Sequence, residues 1–178
     1  MQSLSEDELQ RILGVAKQSD PQDHLIMLLA FETFGRVSEV LALRRGDVLP
    51  DGRIVLHRLK GSKTNCLPMS AEARSILEAV LPHRPNASDL LFNRPRRTLD
   101  FRMKRYAEKA GVGAEKAHMH SLKHTACQHA LDSTGNLLAV QQLAGHSDIG
   151  STLQYAKLSV EQALQIRHGK AYAAGGVQ

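Results

Sequence analysis

The sequence contains no tryptophan, and aromatic residues make up only 4% of its 178 positions. A core with so few rings has to be built from aliphatic side chains and methionine, which suits packed helices better than an aromatic-rich β-sandwich. Cysteine is also scarce: Cys66 and Cys127 lie far apart and form no CxxC pair. This usage favours free thiols in a reducing compartment over a disulfide-stapled scaffold.

Long hydrophobic runs are missing as well. No stretch approaches the roughly 18 consecutive apolar residues of a membrane-spanning helix, and no secretory signal opens the chain. We therefore expect a cytoplasmic protein without a membrane partner. Acidic residues are outnumbered, with 18 Asp and Glu against 23 Lys and Arg, which gives a net charge of +5. A basic balance of this size fits a nucleic-acid partner, although many ordinary proteins share it.

The remaining composition is that of a folded protein, with 42% hydrophobic and 23% charged residues. A chain of this length has room for one domain with a self-sufficient core. We expect residues 1–178 to form a single domain, folded over about 1–168. Small residues and glycines predict a flexible tail over 169–178.

Apolar residues recur at helical spacing along most of the chain. A capping-box pattern from Ser5 to Glu8 predicts a first helix, and a second is expected from Pro21 to Phe34. Residues 53–69 alternate around a Gly-Ser turn and predict a β-hairpin. The predicted fold class is therefore mostly α with a small antiparallel β-sheet (α+β). Further helices are expected at Val37–Leu43, 71–81, 99–110, 121–133, 137–144, 149–156 and 159–167.

Histidines are frequent, and several of them cluster with Cys127, which raises the question of a zinc site. His120 and His124 stand one helical turn apart, and Cys127 follows three residues later. This spacing matches no standard pair of ligand doublets, and no second cysteine or acidic ligand lies suitably close. We therefore predict no metal.

A second set of polar residues is scattered along the chain and suits chemistry on a phosphodiester. The transition state of phosphoryl transfer spreads negative charge over the non-bridging oxygens, which fixed cations stabilise. The reaction also needs a nucleophile and an acid for the leaving oxygen. Spacing alone does not single these residues out, since an isolated arginine or tyrosine is usually structural. The members of the set are Arg36, Lys60, His120, Lys123, His146 and Tyr155.

Three segments resemble the signatures of the tyrosine recombinases, the family of phage integrases and Xer-like enzymes. TFGRVSEVLAL at 33–43 resembles the first signature, and HSLKH at 120–124 resembles the second, His-x-x-Arg-His. LAGHSDIGSTLQY at 143–155 resembles the third, in which a Gly-His pair is followed nine residues later by the nucleophilic tyrosine. The matches span 33–155, so the resemblance implies the catalytic-domain fold of that family.

The resemblance assigns Tyr155 as the nucleophile that attacks the scissile phosphate, leaving a 3′-phosphotyrosyl link and a free 5′-hydroxyl. Arg36 would clamp the phosphate, where a planar fork binds two oxygens at once. Lys60 in the hairpin would protonate the departing 5′-oxygen. Lys63 is the competing choice for this general acid, because family members vary in this turn.

The remaining assignments surround these groups. By resemblance, His120 would assist proton transfer near the nucleophile, and His146 would hydrogen-bond a phosphate oxygen. Glu39 would hold Arg36 in place, as helical i,i+3 spacing permits. His124 is expected to be structural. No cofactor or metal is required, because fixed cations take its place.

One position departs from the family pattern: Lys123 stands where the second signature has an arginine. Lysine keeps the charge but offers a point contact instead of a bidentate fork. We expect Lys123 to contact the phosphate with a weaker grip, so that changing it to arginine raises or preserves cleavage.

Other basic residues gain an expected role from the resemblance, namely neutralising the phosphates of double-stranded DNA. Each of them taken singly is equally well explained as a solvated surface charge. The candidates are Arg44, Arg45, Arg58, Lys63, Arg94, Arg96, Arg97, Arg102, Lys104 and Arg105.

The function implied is that of a site-specific DNA recombinase, working in the bacterial cell or a phage-infected host and associated with the nucleoid. A type IB topoisomerase shares the catalytic set, but the Gly-His-Ser-Asp context and the small size favour a recombinase. A non-catalytic DNA-binding regulator is the alternative from another class. Recombinases of this type act as homo-tetramers on two duplexes, although this chain in isolation could be a monomer. We also expect the separate N-terminal domain of complete relatives to be absent.

Overall fold

The structure is a computed structural model that describes residues 3–58 and 64–145. These residues form seven α-helices and one two-stranded antiparallel sheet, which confirms the predicted mostly helical α+β class. None of the described helices is long and apolar enough to cross a membrane. The elements in chain order are α1 (Glu6–Ser19), α2 (Pro21–Glu32), α3 (Val37–Leu41), β1 (Arg53–Leu56), β2 (Asn65–Pro68), α4 (Ala71–Val80), α5 (Arg96–Lys109), α6 (Met119–Thr134) and α7 (Leu137–Ala144).

The first two helices start where the sequence predicts. The Ser5 hydroxyl accepts the backbone N–H of Glu8, and the Glu8 carboxylate accepts the N–H of Ser5 at 2.9 Å. The Asp20 carboxylate caps α2 by accepting the backbone N–H groups of Gln22 and Asp23, with Pro21 in the first turn. Every residue from 23 to 30 of α2 is buried. This helix therefore runs through the core, with α1, α3, α4 and α6 packed around it.

The predicted hairpin is confirmed as an antiparallel pair in which Arg53 faces Pro68 and Leu56 faces Asn65. Strand alternation turns Ile54 and Leu56 into the core, where both are fully buried. The tip of the hairpin, with Lys60 and Lys63, lies outside the described residues.

Two helix starts differ from the sequence prediction, and both shifts matter for the site. Helix α5 begins at Arg96 directly after Pro95, three residues before the predicted start, which puts two exposed arginines in its first turn. Helix α6 begins at Met119 instead of residue 121, so His120 belongs to its first turn. The first turn of α5 begins with two arginines, and in α6 Met119 is followed by the polar His120 and Ser121, so neither start shows a helical repeat of apolar residues.

A buried ionic network ties α5 to the start of α2. Asp23 is fully buried and accepts the Tyr106 hydroxyl at 2.7 Å and the Arg102 guanidinium at 2.8 Å. Arg94 and Arg102 also bind Asp20, at 2.7 and 2.5 Å. Both arginines were expected on the DNA face, but the structure uses their donors to hold α5 against α2.

Candidate active site

Arg36 projects from the corner between α2 and α3. The corner is tight: Phe34 has a positive φ of 53°, and a Cβ on Gly35 would lie 2.8 Å from the Thr33 hydroxyl and 3.1 Å from Leu56. Only glycine fits such an approach, so the residue before Arg36 is fixed by packing.

Glu39 holds Arg36 through two contacts, one turn into α3. Its carboxylate accepts the backbone N–H of Arg36 at 2.9 Å and the guanidinium Nη1 at 2.8 Å. The Glu39 side chain is fully buried, whereas that of Arg36 is 33% exposed. The arginine is therefore anchored on its inner side and presents the rest of its fork outward, as a phosphate clamp requires.

Arg58 lies beneath the pair of Arg36 and Glu39. It continues the alternation of Ile54 and Leu56, whose side chains point into the core. Its side chain is fully buried, which corrects the prediction that it contacts DNA. All five N–H donors of the guanidinium find acceptors, so the buried charge is fully satisfied. The acceptors are Thr33 O (2.9 Å), Phe34 O (3.0 Å), Glu39 Oε2 (3.2 Å), Leu143 O (2.6 Å) and Asn65 Oδ1 (3.4 Å).

Lys123 reaches the same region from α6. It is only 3% exposed, and its Nζ donates to the Ala144 carbonyl at 2.7 Å. Burial, together with the positive charges of Arg36 and Arg58, lowers the pKa of Lys123 to about 8. The ammonium is still mainly protonated at neutral pH, and a nearby phosphate would stabilise that form.

His120 lies at the solvent-facing edge of the cluster, one turn before His124. The rings meet edge to face with centroids 4.8 Å apart. Partial burial, and then the charges of Lys123 and Arg36, lower the pKa of His120. Burial and the neighbouring His120 lower the pKa of His124 to about 4. Both imidazoles are therefore neutral at pH 7, the form in which His120 could accept a proton.

Among the exposed basic residues, Arg96 has an electrostatic link to this cluster. The positive charge of Arg96 contributes to lowering the pKa of His120, which places it near the site. Arg97 beside it is exposed, and Arg105 lies over the Phe101 ring at 6.0 Å. Arg44, also exposed, donates to the Ser88 carbonyl, and Arg45 is half-buried. Arg96 thus remains the best-placed candidate for a DNA phosphate, and the exposed Arg97 follows it in the first turn of α5.

One tyrosine is removed from consideration as a nucleophile. Tyr106 is buried, its hydroxyl donates to Asp23, and burial followed by that hydrogen bond raises its pKa to about 12. The chain has two other tyrosines, Tyr155 and Tyr172.

The structure thus brings together four of the predicted site residues, Arg36, Glu39, His120 and Lys123, with His124 beside them. Lys60, Lys63, His146 and Tyr155 lie outside the described residues, as do the helices expected after residue 146. Within the described ranges no group of three or more His, Cys, Asp and Glu side chains is arranged to hold a metal ion. Neither Cys66, which is exposed, nor Cys127, which is buried, forms a disulfide.

Comparison with known proteins agrees with this geometry. Residues 2–162 match the phage integrase family. The tyrosine recombinase XerA of Thermococcus kodakarensis is 32% identical over 169 residues, which cover 89% of this chain and 59% of that protein. The chain therefore spans about three-fifths of the length of that relative.

Solved structures give the same result for the fold. The crystal structure of XerA recombinase superposes with a TM-score of 0.76 and 28% identity, covering 94% of this chain and 65% of that one. The catalytic domain of bacteriophage HP1 integrase superposes with a TM-score of 0.68 and 26% identity, covering 93% of this chain and 94% of that one. From the three sequence signatures, the site geometry and these matches, we conclude that the chain belongs to the phage integrase family of tyrosine recombinases.

Proposed function

We propose that this chain is the catalytic domain of a site-specific DNA recombinase, which cleaves and rejoins strands through a 3′-phosphotyrosyl intermediate. The observation that carries the proposal is the cluster of Arg36, Arg58 and Lys123 around the buried carboxylate of Glu39. Three cations against one carboxylate leave an excess of positive charge where Arg36 reaches solvent. Such a fixed excess suits the charge that develops on a phosphodiester in its transition state.

In the proposed reaction the Tyr155 oxygen forms a bond to phosphorus, and the bond from phosphorus to the 5′-oxygen breaks. Neutral His120 takes up the proton released from the tyrosine. Arg36 stabilises the non-bridging oxygens, with His146 as a further donor, and the charge of the buried Lys123 adds to the positive potential at the phosphate. Lys60, or Lys63 in its place, protonates the 5′-oxygen. The phosphotyrosine keeps the energy of the broken bond, so a 5′-hydroxyl from a partner strand reseals it without a cofactor or metal.

The partner in this proposal is a double-stranded recombination site, held by the exposed basic residues around Arg96 and Arg97. The names of the relatives, tyrosine recombinase and integrase, support this substrate class. The assembly proposed for strand exchange is a homo-tetramer on two duplexes, formed at the nucleoid in the cytoplasm. Binding that depends on phosphate contacts weakens steeply with added salt.

Trapping of a covalent adduct tests the proposal. The wild-type chain is incubated with chelator and a pool of nicked duplexes of randomised sequence, in which the short cleaved fragment diffuses away. We expect DNA linked to protein that survives detergent, and sequencing it identifies a preferred site. DNA binding without any adduct would point to the regulator, and an adduct that needs a divalent metal would contradict the metal-free mechanism.

The pH dependence of cleavage tests the role of Lys123. The adduct-formation rate of wild type divided by that of Lys123→Arg is expected to fall as pH rises through about 8. Below that pH the lysine is charged and adds to the positive potential at the phosphate; above it the lysine is neutral, while arginine stays charged. Groups common to both proteins, including Tyr155, cancel in this ratio. The measurement is the second-order rate with limiting enzyme, from neutral pH to about pH 10.

Lys17→Arg is the matched control, since Lys17 is exposed and paired with Glu72 on the surface. The adduct-formation rate of wild type divided by that of Lys17→Arg should not change with pH. A flat ratio for Lys123→Arg over the same range would show that the charge of Lys123 does not act in cleavage.

A further inference from the structure

The last turn of α7 is held by side chains from three other parts of the fold. Carbonyls at a helix C-terminus lack donors from a following turn and need partners elsewhere. Here three successive carbonyls each accept a side-chain N–H, so α7 ends in a fixed position. The donors are Asn65 (3.2 Å to Gln142 O), Arg58 (2.6 Å to Leu143 O) and Lys123 (2.7 Å to Ala144 O).

Arg58 differs from the other two donors because its guanidinium also reaches the Arg36 side of the site. One edge binds Thr33 O and Phe34 O in the corner that precedes Arg36, and Nη1 binds the Glu39 carboxylate. Lysine has three donors on one nitrogen and could not span these acceptors. Arg58 is therefore the side chain that joins the anchor of Arg36 to the end of α7.

Gly145 completes the contact. It follows α7 with a φ of +61°, and a Cβ there would lie 2.8 Å from Arg58 Nε and 3.0 Å from its Cδ. The backbone thus passes directly over the Arg58 side chain, one residue before His146 in sequence. Both the left-handed conformation and this close approach require glycine.

We propose that Arg58 is a positioning residue that fixes Gly145, the residue preceding His146, relative to Arg36. The expected effect on cleavage rests on the proposed function. The contact between Arg58 and the end of α7 does not depend on it. Arg58 acts without touching DNA, since its side chain is buried and its five donors are engaged inside the protein. Its removal should therefore affect cleavage and not phosphate binding.

The test compares Arg58→Met with Arg53→Met, which changes an exposed arginine paired with Asp51 in the same hairpin. Amide hydrogen exchange at 143–145 should speed up in Arg58→Met and stay unchanged in the control. Adduct formation should fall by about 100-fold, the loss expected for misplacing a reacting group by about 1 Å. The salt dependence of binding to a random-sequence duplex should stay that of wild type.

A phosphate contact would instead reduce the slope of log affinity against log salt by about 0.9, and that result would overturn the proposal. The proposal would also be overturned if folded Arg58→Met showed unchanged amide hydrogen exchange at 143–145, or unchanged cleavage. If wild type forms no adduct, the proposed function fails, and exchange still decides the positioning role. Should Arg58→Met not fold, Gly145→Ala probes the same contact: slower cleavage with unchanged salt dependence supports the proposal, and full cleavage contradicts it.

Discussion

Tyr155→Phe should form no covalent adduct with DNA that the wild-type chain cleaves, while binding that DNA with unchanged affinity. Phenylalanine lacks the oxygen that forms the bond to phosphorus and otherwise preserves the ring. A nucleophile that acts covalently has no substitute, so the expected loss is complete within detection. The measurement is detergent-resistant adduct on duplexes selected with wild type, with binding followed by fluorescence anisotropy.

Tyr172→Phe is the matched control, because it removes the same hydroxyl from the remaining tyrosine of the chain, Tyr106 being buried and bonded to Asp23. It should cleave like wild type. An adduct that persists in Tyr155→Phe but disappears in Tyr172→Phe would reassign the nucleophile.

Arg36→Ala should lower the rate of adduct formation by about 10²- to 10³-fold, the usual loss when one donor to a developing oxyanion is removed. The effect arises in the chemical step, since the exposed side of the guanidinium is the part free to meet a phosphate. Stability should change little, because Arg36 is 33% exposed and Glu39 keeps its ion pair with Arg58. Single-turnover cleavage and thermal unfolding of the same preparation separate the two effects.

Arg53→Ala provides the comparison, as it removes an exposed arginine whose partner, Asp51, is also on the surface. It should retain wild-type cleavage. If Arg36→Ala cleaved at the wild-type rate, Arg36 would not be the phosphate clamp and the proposed mechanism would lose its main electrostatic element.

Most of the fold could be predicted because local signals agree with tertiary packing. The Ser5 and Asp20 caps fix the starts of α1 and α2, and alternation identifies the hairpin. The start of α5 at Arg96 was missed, since its first turn carries arginines that give no apolar signal. The network that flanks this turn, with Arg94 before it and Arg102 after it, joins α5 to Asp20 and Asp23, which lie far away in the sequence.

Part of the candidate site could likewise be predicted from the sequence, and part depends on tertiary packing. The Arg36–Glu39 contact follows from i,i+3 spacing, so the sequence contains it. The burial of Lys123 and its bond to Ala144 depend on how α6 and α7 pack, which the sequence pattern does not show. Arg58 was misplaced onto the DNA face, although the alternation through Ile54 and Leu56 already turns it inward. A charged residue at an inward-facing position of the predicted hairpin indicates a buried ionic contact, and this signal was present in the sequence.

The identity of the atom that carries the DNA tests the central claim most directly. The trapped adduct is digested with protease and nuclease, and the linked peptide is sequenced by mass spectrometry. We predict a 3′-phosphate joined to the oxygen of Tyr155, with a free 5′-hydroxyl on the released fragment. Linkage to another residue, or a released fragment that carries a 5′-phosphate, would contradict the account.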